Sequence, residues 1–315
     1  MKNQEQKAPY PWITLGILVF VAIFIIITVV TYSSSEKKRI VGDVGKELET
    51  LAGIKVDQIE RWHREKINDA RLIYDNQTLA EQIESFFIKS NNRKERARLS
   101  QYLNSLIETY DFGSAILLDA GGILGLGVPQ EDMVIGNNLK SRMAGIITGR
   151  KISISDLHFT PVISYLHLDL TVPMLMEQDN DTILVGILVF RIDPEKELFP
   201  LVSSWPVSRS SSECILFRVE NDSVTYLNDS PYNDGETRIM KRNKGELEFL
   251  TLDAFREGRS YTRGTDYRGK DVVASARPVP GTNWYILAKT DINEVLRPFR
   301  RELTALSLMT LLALM

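Results

Sequence analysis

The residues best suited to chemistry sit in two short alternations of polar and apolar side chains. One is Ser155-Asp156-Leu157-His158, and the other is His167-Leu168-Asp169-Leu170-Thr171. Successive side chains of a strand point to opposite faces, so His167, Asp169 and Thr171 share one face. Leu166, Leu168, Leu170 and Val172 take the other and build core. A sheet with one polar face is either open to water or lines a polar cavity. Arg191 lies near the end of a strongly apolar run, in phase with Val185, Ile187 and Val189. A charge among such neighbours needs a partner. Two readings stay open. In one, Arg191 makes a structural ion pair with Asp156 or Asp169, or is exposed at the strand end. In the other, it meets a ligand carboxylate or phosphate, which its planar fork grips through two hydrogen bonds. His158 and His167 would add hydrogen bonds. With Asp119, at the end of an earlier strand, the candidate ligand-binding set is Arg191, His167, Asp169, His158, Asp156 and Asp119.

Catalytic and cofactor motifs are otherwise absent. There is no H-E-x-x-H and no G-x-S-x-G. The stretch Gly42-Asp43-Val44-Gly45-Lys46-Glu47 lacks the glycine spacing of a phosphate loop and the Ser or Thr after Lys. The single cysteine, Cys214, lies in the apolar run CILF and reads as a buried, inert thiol. One cysteine allows no internal disulfide and no Cys-based zinc site. Three histidines (His63, His158 and His167) leave little room for a His-rich metal centre, so neither metal nor cofactor is expected. His63, in RWHREK, reads as part of a solvated helix face. With 38 basic and 41 acidic side chains the chain is nearly neutral, which argues against a nucleic-acid partner. Hydrophobic residues at 43% and charged residues at 25% exclude disorder over most of the 315 residues.

The elements that must position these residues begin at the ends of the chain. No charge occurs from Pro11 to Ser35. About twenty apolar residues, Trp12–Tyr32, suffice to span a hydrocarbon core of roughly 30 Å as a helix. Tyr10, Trp12 and Tyr32 flank the run, where amphipathic rings prefer to lie. The run is too long for the apolar part of a signal peptide. At the other end LTALSLMTLLALM, residues 303–315, reads as the start of a second spanning helix whose remainder lies in a longer protein. Basic residues on both sides of the first span leave its orientation poorly determined.

Between the spans, Leu48, Ile59 and Ala70 recur every eleven residues, as do Leu51, Trp62 and Ile73. Eleven residues are three helical turns, so the six make one straight stripe, which Val41 and Val44 extend. Lys46, Glu47, Lys55, Glu60, Arg64 and Lys66 are assigned to the opposite side. Residues 33–75 thus form a long stalk helix, continuing the membrane helix outward. Arg93–Tyr110 is a second helix. Strands are expected over Ser114–Asp119, Ile123–Val128, Ile152–Phe159, His167–Met174 and Thr182–Ile192, with a short helix starting at Pro194. From Ser212 a smaller version follows: strands Cys214–Glu220 and Ser223–Asn228, a helix Leu247–Arg256, then strands Tyr261–Tyr267, Asp271–Pro278 and Trp284–Thr290. Asp291 is placed to cap a helix Ile292–Glu302. The fold class is α+β: a long N-terminal stalk helix carrying two PAS-like antiparallel-sheet modules, flanked by transmembrane helices. The boundaries are 1–11 for a cytoplasmic N-terminus, 12–32 for the span, 76–203 for a membrane-distal module and 204–290 for a membrane-proximal one. A linker helix, 291–302, leads into the second span.

This layout, with the phrases ISDLHFTPVISYLHLD (154–169), LTVP (170–173), GILVFRIDP (186–194), DYRG (266–269), VPGTNW (279–284) and ILAKTD (286–291), resembles the double Cache sensor domains of prokaryotic transmembrane receptors, above all those of sensor histidine kinases. The resemblance covers roughly residues 35–300 and rests on the ordered set. It implies a prokaryotic cell-membrane receptor, multi-pass when complete, with residues 33–301 extracytoplasmic. It also implies a homodimer, a small-molecule site in the distal module and a histidine kinase output beyond this chain. Family members that bind amino acids carry an R-x-W-Y cluster and an aspartate in a late-strand phrase like V-D-I. Here that phrase is Phe190-Arg191-Ile192, and no R-x-W-Y occurs. The exchange of Asp for Arg reverses the charge preference and points to an organic acid or other anion. The rival expectation is a membrane-anchored structural or protein-interaction ectodomain with no small ligand.

Overall fold

The computed structural model describes residues 11–88, 93–130, 134–160, 163–178, 181–205, 209–220, 223–228, 241–243 and 260–313. The first helix, α1, runs unbroken over Pro11–Tyr74. At 1.5 Å per residue its 64 residues extend roughly 96 Å. From Trp12 to Tyr32 its large apolar side chains stand exposed. Among the described residues it is the one helix long and apolar enough to cross a membrane.

Beyond this segment the eleven-residue stripe is core. Val41, Val44, Leu48, Leu51, Ile59, Trp62, Ala70 and Ile73 are all buried. Lys55 and Lys66 correct the sequence expectation: they lie on the buried side, only 3% and 5% exposed. They too are eleven apart, and they fall between Leu51 and Ile59 and between Trp62 and Ala70 on the same stripe. Lys55 Nζ donates to the Leu201 carbonyl at 2.5 Å and to Ser204 Oγ at 2.7 Å. Lys66 Nζ donates to the Tyr110 carbonyl and to Glu197, each at 3.1 Å, and Glu197 also accepts Trp62 Nε1 at 2.7 Å. Gly42 and Gly45 hold no phosphate loop. They let the Tyr261 ring lie on the helix, where a Cβ on Gly45 would come within 2.4 Å of it.

Helices α2 (Gln77–Ile88) and α3 (Arg93–Tyr110) follow, the first not anticipated from the sequence. Strands β1 (Ser114–Leu118) and β2 (Leu124–Val128) form the expected hairpin. Then comes an unanticipated helix, α4 (Asn137–Gly149). The strand expected over 152–159 is two short strands, β3 (Ser153–Ile154) and β4 (His158–Thr160), because residues 155–157 turn the chain between them. The long strands β5 (Ile163–Gln178) and β6 (Asp181–Ile192) complete the first sheet. Its order is β2-β1-β6-β5-β3, with β4 pairing the outer part of β5, all antiparallel. One face packs on α1, α2 and α3, and the other is covered by α4.

Helix α5 is Leu198–Ser203, four residues later than expected. Pro194 opens a turn instead, its carbonyl accepting from Phe199 N at 2.8 Å. The second sheet contains β7 (Glu213–Glu220), β8 (Ser223–Tyr226), β9 (Lys241–Asn243), β10 (Thr262–Thr265), β11 (Asp271–Pro278) and β12 (Trp284–Asp291). It is antiparallel, in the order β10-β11-β12-β7-β8-β9. The helix expected over 247–256 lies outside the described residues. Helix α6 (Ile292–Val295) leads directly into α7 (Arg297–Ala313). Asp291 is the residue before α6, but its side chain makes no cap and binds Arg268 instead. The chain is thus an α+β protein in which one long helix carries two antiparallel sheets.

Candidate functional site

The polar face of β5 is closed rather than open to water. Strand register sets Ser114 of β1, Arg191 of β6 and Asp169 of β5 side by side. The next row on that face is Ile116, Val189 and Thr171. Helix α4 closes over it. Leu139 and Ile146 pack on Ile116, Leu118, Ile187 and Val189, which fixes the helix. Arg142, on the same side between them, reaches back to the sheet. Its Nη2 donates to Ser153 Oγ at 3.0 Å, and Ser153 Oγ lies 2.7 Å from Thr171 Oγ1. His167, Asp169 and Arg191 are each at most 2% exposed.

Strands β4 and β5 pair His158 directly with His167, and the ring centres are 4.4 Å apart. His158 Nδ1 lies 3.0 Å from the Asp156 carbonyl, which can only accept, so Nδ1 carries the hydrogen. His158 Nε2 lies 3.3 Å from Asp169 Oδ2 without hydrogen-bond alignment. His167 Nε2 lies 3.4 Å from Thr160 Oγ1 and 3.9 Å from Asp169 Oδ1. Asp169 is held from behind: its amide donates to Ser155 Oγ at 2.8 Å, and its carbonyl accepts from Ser155 N at 2.9 Å. Arg191 Nε stands 4.0 Å from Asp169 Oδ1, the outer limit of an ion pair, and Nη2 donates to the Val134 carbonyl. Ser114 Oγ, Arg142 Nη1 and Asp169 Oδ1 are buried without a hydrogen-bond partner.

The electrostatics follow from these neighbours. Burial opposes a charge on His158, but Asp169 and the Asp156 carbonyl outweigh it and raise its pKa above the ordinary imidazole value. Burial pulls the Arg142 guanidinium below its usual range, against the attraction of Asp169.

Of the six residues singled out in the sequence, four meet here: His158, His167, Asp169 and Arg191. Two do not. Asp119 Oδ1 accepts from Gly121 N at 2.9 Å and Ile123 N at 2.8 Å, so it shapes the β1–β2 turn. Asp156 faces the second sheet. Its Oδ1 accepts from Trp284 Nε1 at 2.6 Å, and its Oδ2 from Arg218 Nη1 at 3.0 Å and Asn283 Nδ2 at 3.1 Å. Sequence reasoning missed Arg142 and Ser114. Leu139, Arg142, Met143 and Ile146 do carry helical spacing, the one signal that would have found Arg142.

The other groups considered are structural. Burial pushes the Cys214 thiol up to about 12. His63 is half-buried rather than solvated and lines a groove with Val279, Pro280 and Trp284; burial lowers its pKa. In the second sheet Lys289 is fully buried between Glu213 and Asp266, over the Tyr267 ring at 4.3 Å. Lys289 faces Glu213 across β12 and β7 as Arg191 faces Ser114 across β6 and β1, but the partner of Lys289 on β11 is Ala274 where β5 has Asp169.

No protein-family model matches the sequence, and no curated protein matches it. Solved structures do resemble the fold. The ligand-binding domain of the Campylobacter jejuni chemoreceptor Tlp3, in complex with L-norvaline, is 12% identical with a TM-score of 0.53, covering 82% of this chain and 94% of that one. That of the Pseudomonas fluorescens chemoreceptor CtaA, in complex with L-isoleucine, is 15% identical with a TM-score of 0.51, covering 83% of this chain and 98% of that one. The two-sheet fold on a long helix is that of these chemoreceptor ligand-binding domains, in agreement with the double Cache resemblance.

Proposed function

We propose that this chain is the extracytoplasmic sensory part of a prokaryotic membrane receptor and that its distal sheet binds an organic anion. The observation that carries the reading is the buried polar cluster under α4. It gathers the guanidinium groups of Arg142 and Arg191 and a His158 held toward its charged form, against one carboxylate, Asp169. The balance is positive, and buried donors without partners are costly. A carboxylate ligand would satisfy them. Leu and Phe at these positions would have favoured a structural ectodomain; the side chains there are polar. Asp169 Oδ1 supports a second reading: beside two arginines it would accept the ammonium group of an amino acid, the class bound by the fold's solved neighbours.

The same reading takes Trp12–Tyr32 as an anchor with residues 33–301 outside. It takes the apolar part of α7 as the start of a second span and a histidine kinase as the output. Exposed Ile54 and Leu72, five turns apart on α1, support pairing of two stalks as a homodimer.

The test is thermal melting of the full chain in detergent against panels of organic acids and amino acids. A ligand at 100 times its Kd stabilises the native state by about 2.7 kcal/mol. A shift with carboxylates that Arg142→Gln removes is the expected result. A shift confined to amino acids favours the second reading, and no shift with either panel sinks both.

A further inference from the structure

The cluster sets a nitrogen and an oxygen atom side by side that its hydrogen bonds do not use. The His158 hydrogen sits on Nδ1, facing the Asp156 carbonyl. In the neutral ring Nε2 is therefore a lone pair, and it faces a carboxylate oxygen 3.3 Å away. Two acceptors pointed at each other repel unless a proton or a metal ion lies between them, and a metal ion can also draw in a second imidazole. His167 Nε2 lies 3.9 Å from the other oxygen of the same carboxylate. One donor atom from each of His158, His167 and Asp169 lies within 4.8 Å of the others. Asp169 Oδ1 is buried and makes no hydrogen bond.

We propose that His158, His167 and Asp169 bind one divalent transition-metal ion of the zinc class, with an anionic fourth ligand held beside Arg142. Zinc takes imidazole nitrogen and carboxylate oxygen at roughly 2.0–2.2 Å in a tetrahedron, which places neighbouring donors about 3.3–3.6 Å apart. The 3.3 Å and 3.9 Å separations are close to that already. The shell behind the ligands has the form metal sites use. The other ring nitrogen of His158 is fixed by a backbone carbonyl, and the Asp169 strand is pinned by Ser155. Two imidazoles select zinc, cobalt or nickel over magnesium and calcium. Three protein ligands leave one position open. Arg142, whose Nη1 is buried without a partner and whose Nη2 reaches Ser153 on the same face of the sheet, would orient an anion bound there. The fourth-ligand part rests on the anion reading above; the metal site itself does not. Sequence spacing hid the site because the two histidines are nine apart and come together only through the β4–β5 register.

The experiment takes the full chain in detergent, stripped with EDTA and dialysed, and titrates it calorimetrically with Zn²⁺ and spectroscopically with Co²⁺. The expected result is one ion per chain and the visible bands of four-coordinate cobalt. Affinity should fall at least ~10-fold in Asp169→Asn and in His158→Gln, remain in His63→Gln, and resist competition by Mg²⁺. His158 is less buried than Asp169, so its variant tests the site even where Asp169→Asn fails to fold by circular dichroism. No uptake by the wild-type chain, or uptake surviving both substitutions, overturns the proposal. Carboxylate titrations run in EDTA and in Zn²⁺ separate the two readings. Carboxylate binding in EDTA without metal uptake overturns the metal site and leaves the anion reading. Metal uptake without carboxylate binding does the reverse. Carboxylate binding that needs Zn²⁺ supports both.

Discussion

Replacing Asp156 by alanine should loosen the contact between the two sheets. The carboxylate accepts from the Trp284 indole, Arg218, Asn283 and its neighbour Leu157 N. Trp284 is 2% exposed, so its N–H has no access to water once the acceptor is gone. A hydrogen bond to a charged group contributes about 1.5–3 kcal/mol, and an orphaned buried donor costs about 1–3 kcal/mol. The ion pair with Arg218 adds little, because Asp156 is a third exposed and solvent screens it. These terms overlap, and a loss of about 2–4 kcal/mol is expected. At about 2–4 °C per kcal/mol for a large chain, Tm should drop by roughly 4–16 °C. Circular dichroism melting of the full chain in detergent reads it. A double-mutant cycle with Trp284→Phe isolates the indole bond, since phenylalanine has no N–H to orphan. The coupling should be about 1–2 kcal/mol. A drop below about 1 °C, or additive single and double variants, would refute the reasoning.

Two glycines of α1 should respond in opposite directions. Gly45→Ala drives a Cβ into the Tyr261 ring, and overpacking of about 1–3 kcal/mol outweighs the ~0.5–1 kcal/mol of helix propensity gained. Gly53 has open space around it, so Gly53→Ala should raise stability by ~0.5–1 kcal/mol; chemical denaturation checks both signs. Glu294 supplies the pH test. Burial would raise its pKa, but hydrogen bonds from the side chains and amides of Ser211 and Ser210 outweigh it and hold the carboxyl at about 2. Its pKa is depressed on folding, so its contribution is complete above the ordinary glutamate value of about 4.3 and fades as pH falls toward 2. Glu294→Gln should flatten that acid limb of the melting curve, and an unchanged limb would remove Glu294 from the account.

What the sequence made legible was whatever repeats locally. The eleven-residue stripe of α1 is visible because helical period and burial coincide over three recurrences. The alternation at His167–Thr171 is visible because a strand has period two, and the structure buries all three polar members. The failures are where a distant partner reverses a local preference. Lys55 and Lys66 look solvated by charge, yet carbonyls and a carboxylate more than forty residues away receive them inside the protein. Asp291 looks like a cap, yet Arg268 across the sheet takes its carboxylate. Helix α4 was missed although Leu139, Met143 and Ile146 are spaced as one helix face, because its opening asparagines and two glycines read locally as a loop. With α4 missing, Arg142 had no reason to be placed over the polar face of β5.

The position of Asp156 connects the candidate site to the rest of the chain. It lies between Ser155, which pins Asp169, and His158, which faces it. Any bound cation or anion that draws His158 toward Asp169 must move the 155–158 segment, because Asp156 shares that short, turned stretch of backbone. The Asp156 carboxylate is clamped to Trp284 and Asn283 at the start of β12, and β12 ends where α6 and α7 begin. A ligand shifts such an equilibrium only by its differential affinity for two arrangements. Under the proposed function, the clamp makes the cluster's geometry and the position of β12 a single variable. Cutting it with Asp156→Ala should therefore leave ligand affinity at the cluster largely intact while uncoupling it from α7. A spin-label distance between α1 and α7 that still responds to ligand in that variant would place the coupling in the Glu197–Lys66–Trp62 contacts of the stalk instead.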